Sequence, residues 1–103
     1  MIVYVDIDET ICEYSDERRY DLAVPIEENI RKINRLYDEG NRIVYWTARG
    51  SVTGIDWEEL TKKQLKEWNA KHHDCILGKP HFDLYICDKA MNSDSFFRFW
   101  NVK

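Results

Sequence analysis

The hydrophobic positions of this chain fall into two alternating periods. Ile2-Val3-Tyr4-Val5 is an unbroken β-branched and aromatic run, the pattern of a strand buried on both faces. It stops at Asp6-Ile7-Asp8-Glu9-Thr10, where polar residues take over. Pro25 then marks a helix start, and Ile26, Ile30, Ile33 and Tyr37 recur at helical spacing until Gly40 ends the run. Arg42-Ile43-Val44-Tyr45-Trp46 reads as a second buried strand, followed by Thr47-Ala48-Arg49-Gly50 and a loop to Gly54. Asp56 is a good N-cap for a helix that lines up Trp57, Leu60, Gln64 and Trp68 on one face. Cys75-Ile76-Leu77 predicts a third strand, broken by Gly78-Lys79-Pro80, and Leu84-Tyr85-Ile86-Cys87 predicts a fourth that ends at Asp88. A last short helix is expected over 93–100, with Phe96, Phe97, Phe99 and Trp100 packing on the sheet edge.

Strand, helix, strand, helix, strand is the signature of a parallel sheet wound by right-handed crossovers. The expected fold is therefore α/β: a three-layer, Rossmann-like parallel sheet with helices on both faces. At 103 residues it forms one domain, 1–103. In such sheets ligands sit beyond the carboxyl ends of the strands. Asp6, Thr47 and Asp88 each fall just past a predicted strand end, so three distant parts of the sequence should meet at one rim.

Composition narrows the function. Apolar residues at 44% and charged residues at 33% describe a globular chain rather than a disordered one. The formal net charge of −4, with no Lys/Arg run, argues against duplex nucleic acid as a partner. No apolar stretch approaches the roughly 20 residues that a membrane helix needs. Three cysteines without a CxxC spacing fit a reducing compartment better than a disulfide framework, and the N-terminus shows neither a cationic start nor a cleavage site. A cytoplasmic location is the expectation. His72, His73 and Cys75 lack the further ligands that structural zinc requires, so helix-end and strand roles account for them.

Asp6 and Asp8 carry the first chemical signal. Two carboxylates separated by one residue, directly after a buried strand, are costly to place without a compensating cation. A hard ion such as Mg²⁺ resolves the repulsion, and Asp88 would offer a further oxygen. The segment Asp6-Ile7-Asp8-Glu9-Thr10 resembles the DxDxT motif of the haloacid dehalogenase superfamily of phosphatases. The resemblance continues through Thr47 at the end of a hydrophobic strand, Lys79 in Gly78-Lys79-Pro80, and Asp88 after Leu84-Tyr85-Ile86-Cys87. Glu9 stands where the family commonly has Gly, and Cys87 precedes Asp88 where a second acid or Gly is usual.

That resemblance implies a mechanism and a site. Asp6 would be the nucleophile, forming an aspartyl-phosphate. Asp8 would protonate the leaving alcohol and then activate water. Thr47 would bind phosphoryl oxygens, Lys79 would neutralise charge, and Mg²⁺ would be held by Asp6, Asp88 and the backbone carbonyl of Asp8. Arg49, Arg19 and Ser51 are the expected substrate-binding residues, with Arg18 and Tyr20 in the same flap. The stretches 10–25 and 49–79 are too short for a large cap domain, so the chain resembles the small capless type. An open site suits either a bulky substrate or a homo-oligomer whose neighbour covers it. The chain is similar to phosphatases of capsule and surface-polysaccharide biosynthesis, which implies a phosphorylated sugar or polyol as the small-molecule partner.

Two rival readings belong to other classes. A receiver domain of two-component signalling also gathers acids, a Thr and a Lys in a small α/β fold. There the acid pair is adjacent and the phosphoacceptor ends the third strand, whereas Ile7 separates the acids here. A catalytically weak phosphate-binding module would not need acids at every motif.

Overall fold

The structure is a computed structural model that describes residues 1–14 and 19–100. Strand β1 (Ile2–Val5) lies at one side of a parallel sheet, β4 (Arg42–Thr47) in its centre and β5 (Asp74–Leu77) at the other side. The register sets Val5 opposite Tyr45 and Thr47 opposite Leu77. All three strands therefore run out at the same rim, with Asp6, Thr47 and the Gly78-Lys79 turn along it. Helix α1 (Glu27–Asp38) crosses from β1 to β4, and α2 (Glu58–Glu67) from β4 to β5. A short antiparallel pair, β2 (Cys12–Glu13) with β3 (Val24–Pro25), and a 3-10 turn at Tyr20–Leu22 lie between β1 and α1. Helix α3 (Ser93–Phe99) closes the described chain. This is the expected small α/β fold with a parallel sheet and no large cap domain. Among the described residues no helix is long and apolar enough to cross a membrane.

Side chains alternate across the strands, and one set faces the core. Val5, Ile43, Tyr45 and Cys75 join Ile30, Ile33 and Leu36 of α1 and Leu65 of α2 in one buried cluster, with Phe96 and Phe97 of α3 packed against it. The predicted stripe on α1 is confirmed. Helix α2 turns differently: Thr61, Gln64 and Leu65 are its buried residues, while Trp57 precedes its first turn. Asp56 still accepts from the Glu58 amide, so its capping role holds one residue early. On the opposite face of the sheet Ile2, Tyr4 and Ile76 stay exposed, and that face carries less cover than three full layers would give.

The predicted fourth strand does not form. Leu84-Tyr85-Ile86-Cys87 has no hydrogen-bonded neighbour strand, and Leu84 and Ile86 are 75% and 87% exposed. A run of strand-forming residues becomes a strand only when another edge accepts its backbone groups. Among the described residues the outer edge of β1 carries no paired strand, yet 80–92 does not dock there and stays irregular and exposed. Asp88, at the end of that run, is exposed.

Candidate active site

Beyond β1 the chain folds back on itself immediately. The amides of Thr10 and Ile11 both donate to the carbonyl of Ile7, and Glu9 donates to Cys12. Glu9 at the apex has φ 63°, the left-handed conformation in which Gly meets no Cβ penalty. The turn buries Ile7 and Ile11 and sets Asp6 and Asp8 at the rim. On β4, Thr47 is buried and its hydroxyl accepts from the amide of Arg49, which fixes the start of the next loop. The amide of Lys79 donates to the Thr47 carbonyl, extending the β4–β5 ladder by one bond.

These ends frame an open cleft of about 920 Å³. Asp6, Asp8, Thr47, Arg49 and Lys79 line it, with Arg19 of the flap. Lys79 Nζ lies 3.6 Å from Asp6 Oδ1 and also faces the rings of Trp46 and Phe82. Burial raises the Asp6 carboxyl above its ordinary value; Lys79 and the Ile7 amide offset part of this, and the neighbouring Asp8 adds to it. The Asp6 side chain is 41% exposed, which leaves its oxygens open to the cleft.

Asp8 is held in the opposite manner, with its side chain only 12% exposed. Burial alone would raise this carboxyl, but hydrogen bonds and charge from Arg49 outweigh it. Tyr14 and Cys12 add to the effect, and the net shift is downward. Tyr14 donates its hydroxyl to Asp8 Oδ1, and the Cys12 thiol donates to the same oxygen at 3.4 Å. Burial pushes that thiol up to about 12, so it stays protonated as a donor.

Arg49 is where the structure departs most from expectation. Its guanidinium was expected to reach a substrate; instead the side chain is fully buried and turned inward. Nε donates to both Asp8 oxygens, Nη2 to Asp8 Oδ1 at 2.8 Å, and Nη1 to Thr61 Oγ1 and to Gln64 Oε1. Tyr20 covers the cation with its ring at 4.8 Å. Ser51 likewise ties the loops rather than facing the cleft, its hydroxyl donating to the Lys79 carbonyl at 2.7 Å. Arg19 does stand at the cleft, paired with Asp21 at 2.9 Å. Arg18 lies outside the described residues.

The metal set is only partly assembled. Asp88 does not line the cleft, and among the described residues no three His, Cys, Asp or Glu side chains come together as a metal site. The half-open Asp6 carboxylate nevertheless suits Mg²⁺, which keeps several waters and often takes one or two carboxylates plus a substrate phosphate.

Sequence reasoning singles out neither Tyr14 nor Thr61, and places Gln64 with Trp57 on one helix face without a role at the site, although Trp57 lines the cleft. The available signal was on α2. Thr61 and Gln64, three residues apart, put two polar groups on the face that the helix buries.

The loop after Arg49 depends on Gly50. Its φ is +82°, and a Cβ there would lie 2.1 Å from the carbonyl oxygen of Ile55. Gly50→Ala is therefore expected to displace the 49–55 loop and destabilise the protein by about 2–3 kcal/mol, measured by urea unfolding. A cost below about 0.5 kcal/mol, the range of ordinary surface changes, would show that the loop is not held as described.

No family model and no curated protein matches this chain. Its fold is similar to a crystal structure described as an MCSG target from Vibrio cholerae. The TM-score is 0.82 at 23% identity, over 93% of this chain and 86% of that one. At such identity the likeness carries the architecture and leaves the chemistry to the site.

Proposed function

We propose that the protein is a phosphatase that hydrolyses phosphomonoesters through an aspartyl-phosphate on Asp6. One observation carries the reading: a half-exposed carboxylate stands 3.6 Å from the ammonium of Lys79, at a strand-end rim shared with Thr47 and a second, tightly held carboxylate. A nucleophile must be open and its helper must be placed, and Asp6 and Asp8 divide in that way. Asp6 Oδ attacks phosphorus as the ester P–O bond breaks; Asp8, ionised beside Arg49, has no proton to give, so the leaving oxygen takes its proton from water. Water then attacks the phosphoryl group and gives its proton to Asp8, which frees Asp6 and inorganic phosphate. Lys79 balances charge on Asp6 and on the incoming phosphate. Mg²⁺, bound through Asp6 and the phosphate, would supply further charge neutralisation at the phosphoryl oxygens.

The substrate class implied by the resemblance is a phosphorylated sugar or polyol, acted on in the cytoplasm, with a homo-oligomeric neighbour suited to cover the open cleft. Purified protein with Mg²⁺ should hydrolyse p-nitrophenyl phosphate and members of a sugar- and polyol-phosphate panel, and EDTA should suppress turnover. A wild type inactive across the whole panel would sink the reading. Stoichiometric labelling by acetyl phosphate on an Asp other than Asp6 would favour the receiver-like alternative. Tight phosphate binding without turnover would favour a binding module.

A further inference from the structure

We infer that Arg49 is a positioning residue for Asp8, fastened to α2 through Thr61 and Gln64, and not a group that binds the substrate phosphate. The inference rests on the reading of Asp6 and Asp8 as a phosphoryl-transfer pair.

Donor counting carries it. A guanidinium has five N–H donors in a fixed planar fork. In Arg49 the Nε–H is shared by the two Asp8 oxygens, at 3.2 and 3.1 Å. The two Nη1 donors go to Thr61 Oγ1 at 3.2 Å and Gln64 Oε1 at 2.6 Å. The two Nη2 donors go to Asp8 Oδ1 at 2.8 Å and Cys12 Sγ at 3.9 Å. Five donors have five places, and none is left for a phosphate. Binding one would require the cation to abandon a buried carboxylate, at a desolvation cost that a solvated phosphate does not return.

The same bonds explain what the residue does. Asp8 lies on a tight turn, where Tyr14 and Cys12 both donate to its Oδ1, while Arg49 engages both of its oxygens. Bidentate contact with a rigid fork sets the plane of its carboxylate. The fork is fixed in turn by a helix, which is more rigid than a loop. Gln64 extends the network: its Nε2 donates to the carbonyl of Tyr20, whose ring covers the Arg49 cation. Tyr14 reaches Asp8 from the other end of the flap. The described ends of that flap are thus tied to the network, Tyr14 to Asp8 itself and Tyr20 to Gln64 and Arg49.

Positioning and substrate binding differ in their kinetics. With p-nitrophenyl phosphate and Mg²⁺, Arg49→Gln should lower kcat about 10- to 100-fold, the scale expected when a catalytic group is misplaced, with KM unchanged within about twofold. In an Asp8→Asn background the same change should cause no further loss of kcat, because Arg49 acts only through that carboxylate. Thr61→Val keeps the shape and the cation but removes one acceptor, and should lower kcat by a smaller factor, again at constant KM. It serves if Arg49→Gln fails to fold by circular dichroism. Inorganic phosphate should leave the Arg49 Nε–H resonance in place. A raised KM at constant kcat, a full additional loss in the Asp8→Asn background, or a phosphate-shifted Nε–H would overturn the inference while wild-type turnover stands. A wild type without turnover would instead remove the phosphatase reading on which the inference rests.

Discussion

Replacing Asp6 by Asn is expected to reduce turnover about ten-thousand-fold or more, the scale of removing a nucleophile, without weakening the fold at neutral pH. The first half follows from the attack itself, since an amide cannot form the aspartyl-phosphate, an acyl phosphate. The second half follows from electrostatics. Burial raises the Asp6 carboxyl above its ordinary 3.8, and Lys79 offsets only part of that. A group raised in the folded state contributes stability that is fully present below its unfolded value and lost as pH rises through its folded value. Above that window the wild type holds a carboxylate that the fold disfavours, and Asn does not. The difference in melting temperature, Asn variant minus wild type, should therefore move in favour of Asn between pH 3 and pH 7 in EDTA. Such behaviour belongs to functional groups, whose placement commonly costs stability. Lost activity accompanied by a lower melting temperature at pH 7 would mean that Asp6 is a structural acid.

The same residue shows how far the sequence can be read. The runs Ile2–Val5 and Arg42–Trp46, and the α1 stripe of Ile30 and Ile33, are legible because strand and helix periods are local properties. The rule for parallel sheets then predicts Asp6, Thr47 and Asp88 at one rim without any knowledge of contacts, and Asp6 and Thr47 stand there. Leu84–Cys87 has the same local pattern as β1, yet forms no strand, because pairing is decided by an edge elsewhere in the chain. Asp88 is absent from the cleft for that reason. Arg49 was legible as a residue near the site, but the direction of its side chain was not. That direction is set by Thr61 and Gln64, twelve and fifteen residues further along, whose buried polar groups need a donor. The pattern on α2 shows two polar groups on its buried face but not which donor they take.

That pairing leads to the largest stability effect expected of this protein. Asp8→Ala should cost about 3–5 kcal/mol, because it leaves the buried Arg49 cation without its counter-charge. Arg49 cannot escape by losing its proton. Burial disfavours its charge, but Asp8 more than compensates, and the cation is held above its ordinary value. Against a total stability of about 5–15 kcal/mol for a domain of this kind, such a loss is about a fifth or more. Asp8→Asn keeps an oxygen acceptor for Nε or Nη2 and should lose less than Asp8→Ala. The pH dependence has the opposite sign to that of Asp6. Asp8 is lowered in the folded state, so its contribution is present above its ordinary 3.8 and disappears as pH falls through its folded value. Urea unfolding at pH 7 and again near pH 3 should show the gap between wild type and Asp8→Ala shrinking on acidification. If Asp8→Ala cost less than about 1 kcal/mol at pH 7, the pair would rank with ordinary surface ion pairs. Arg49 would then be free to turn outward, and the cleft would gain the phosphate-binding cation that its present geometry withholds.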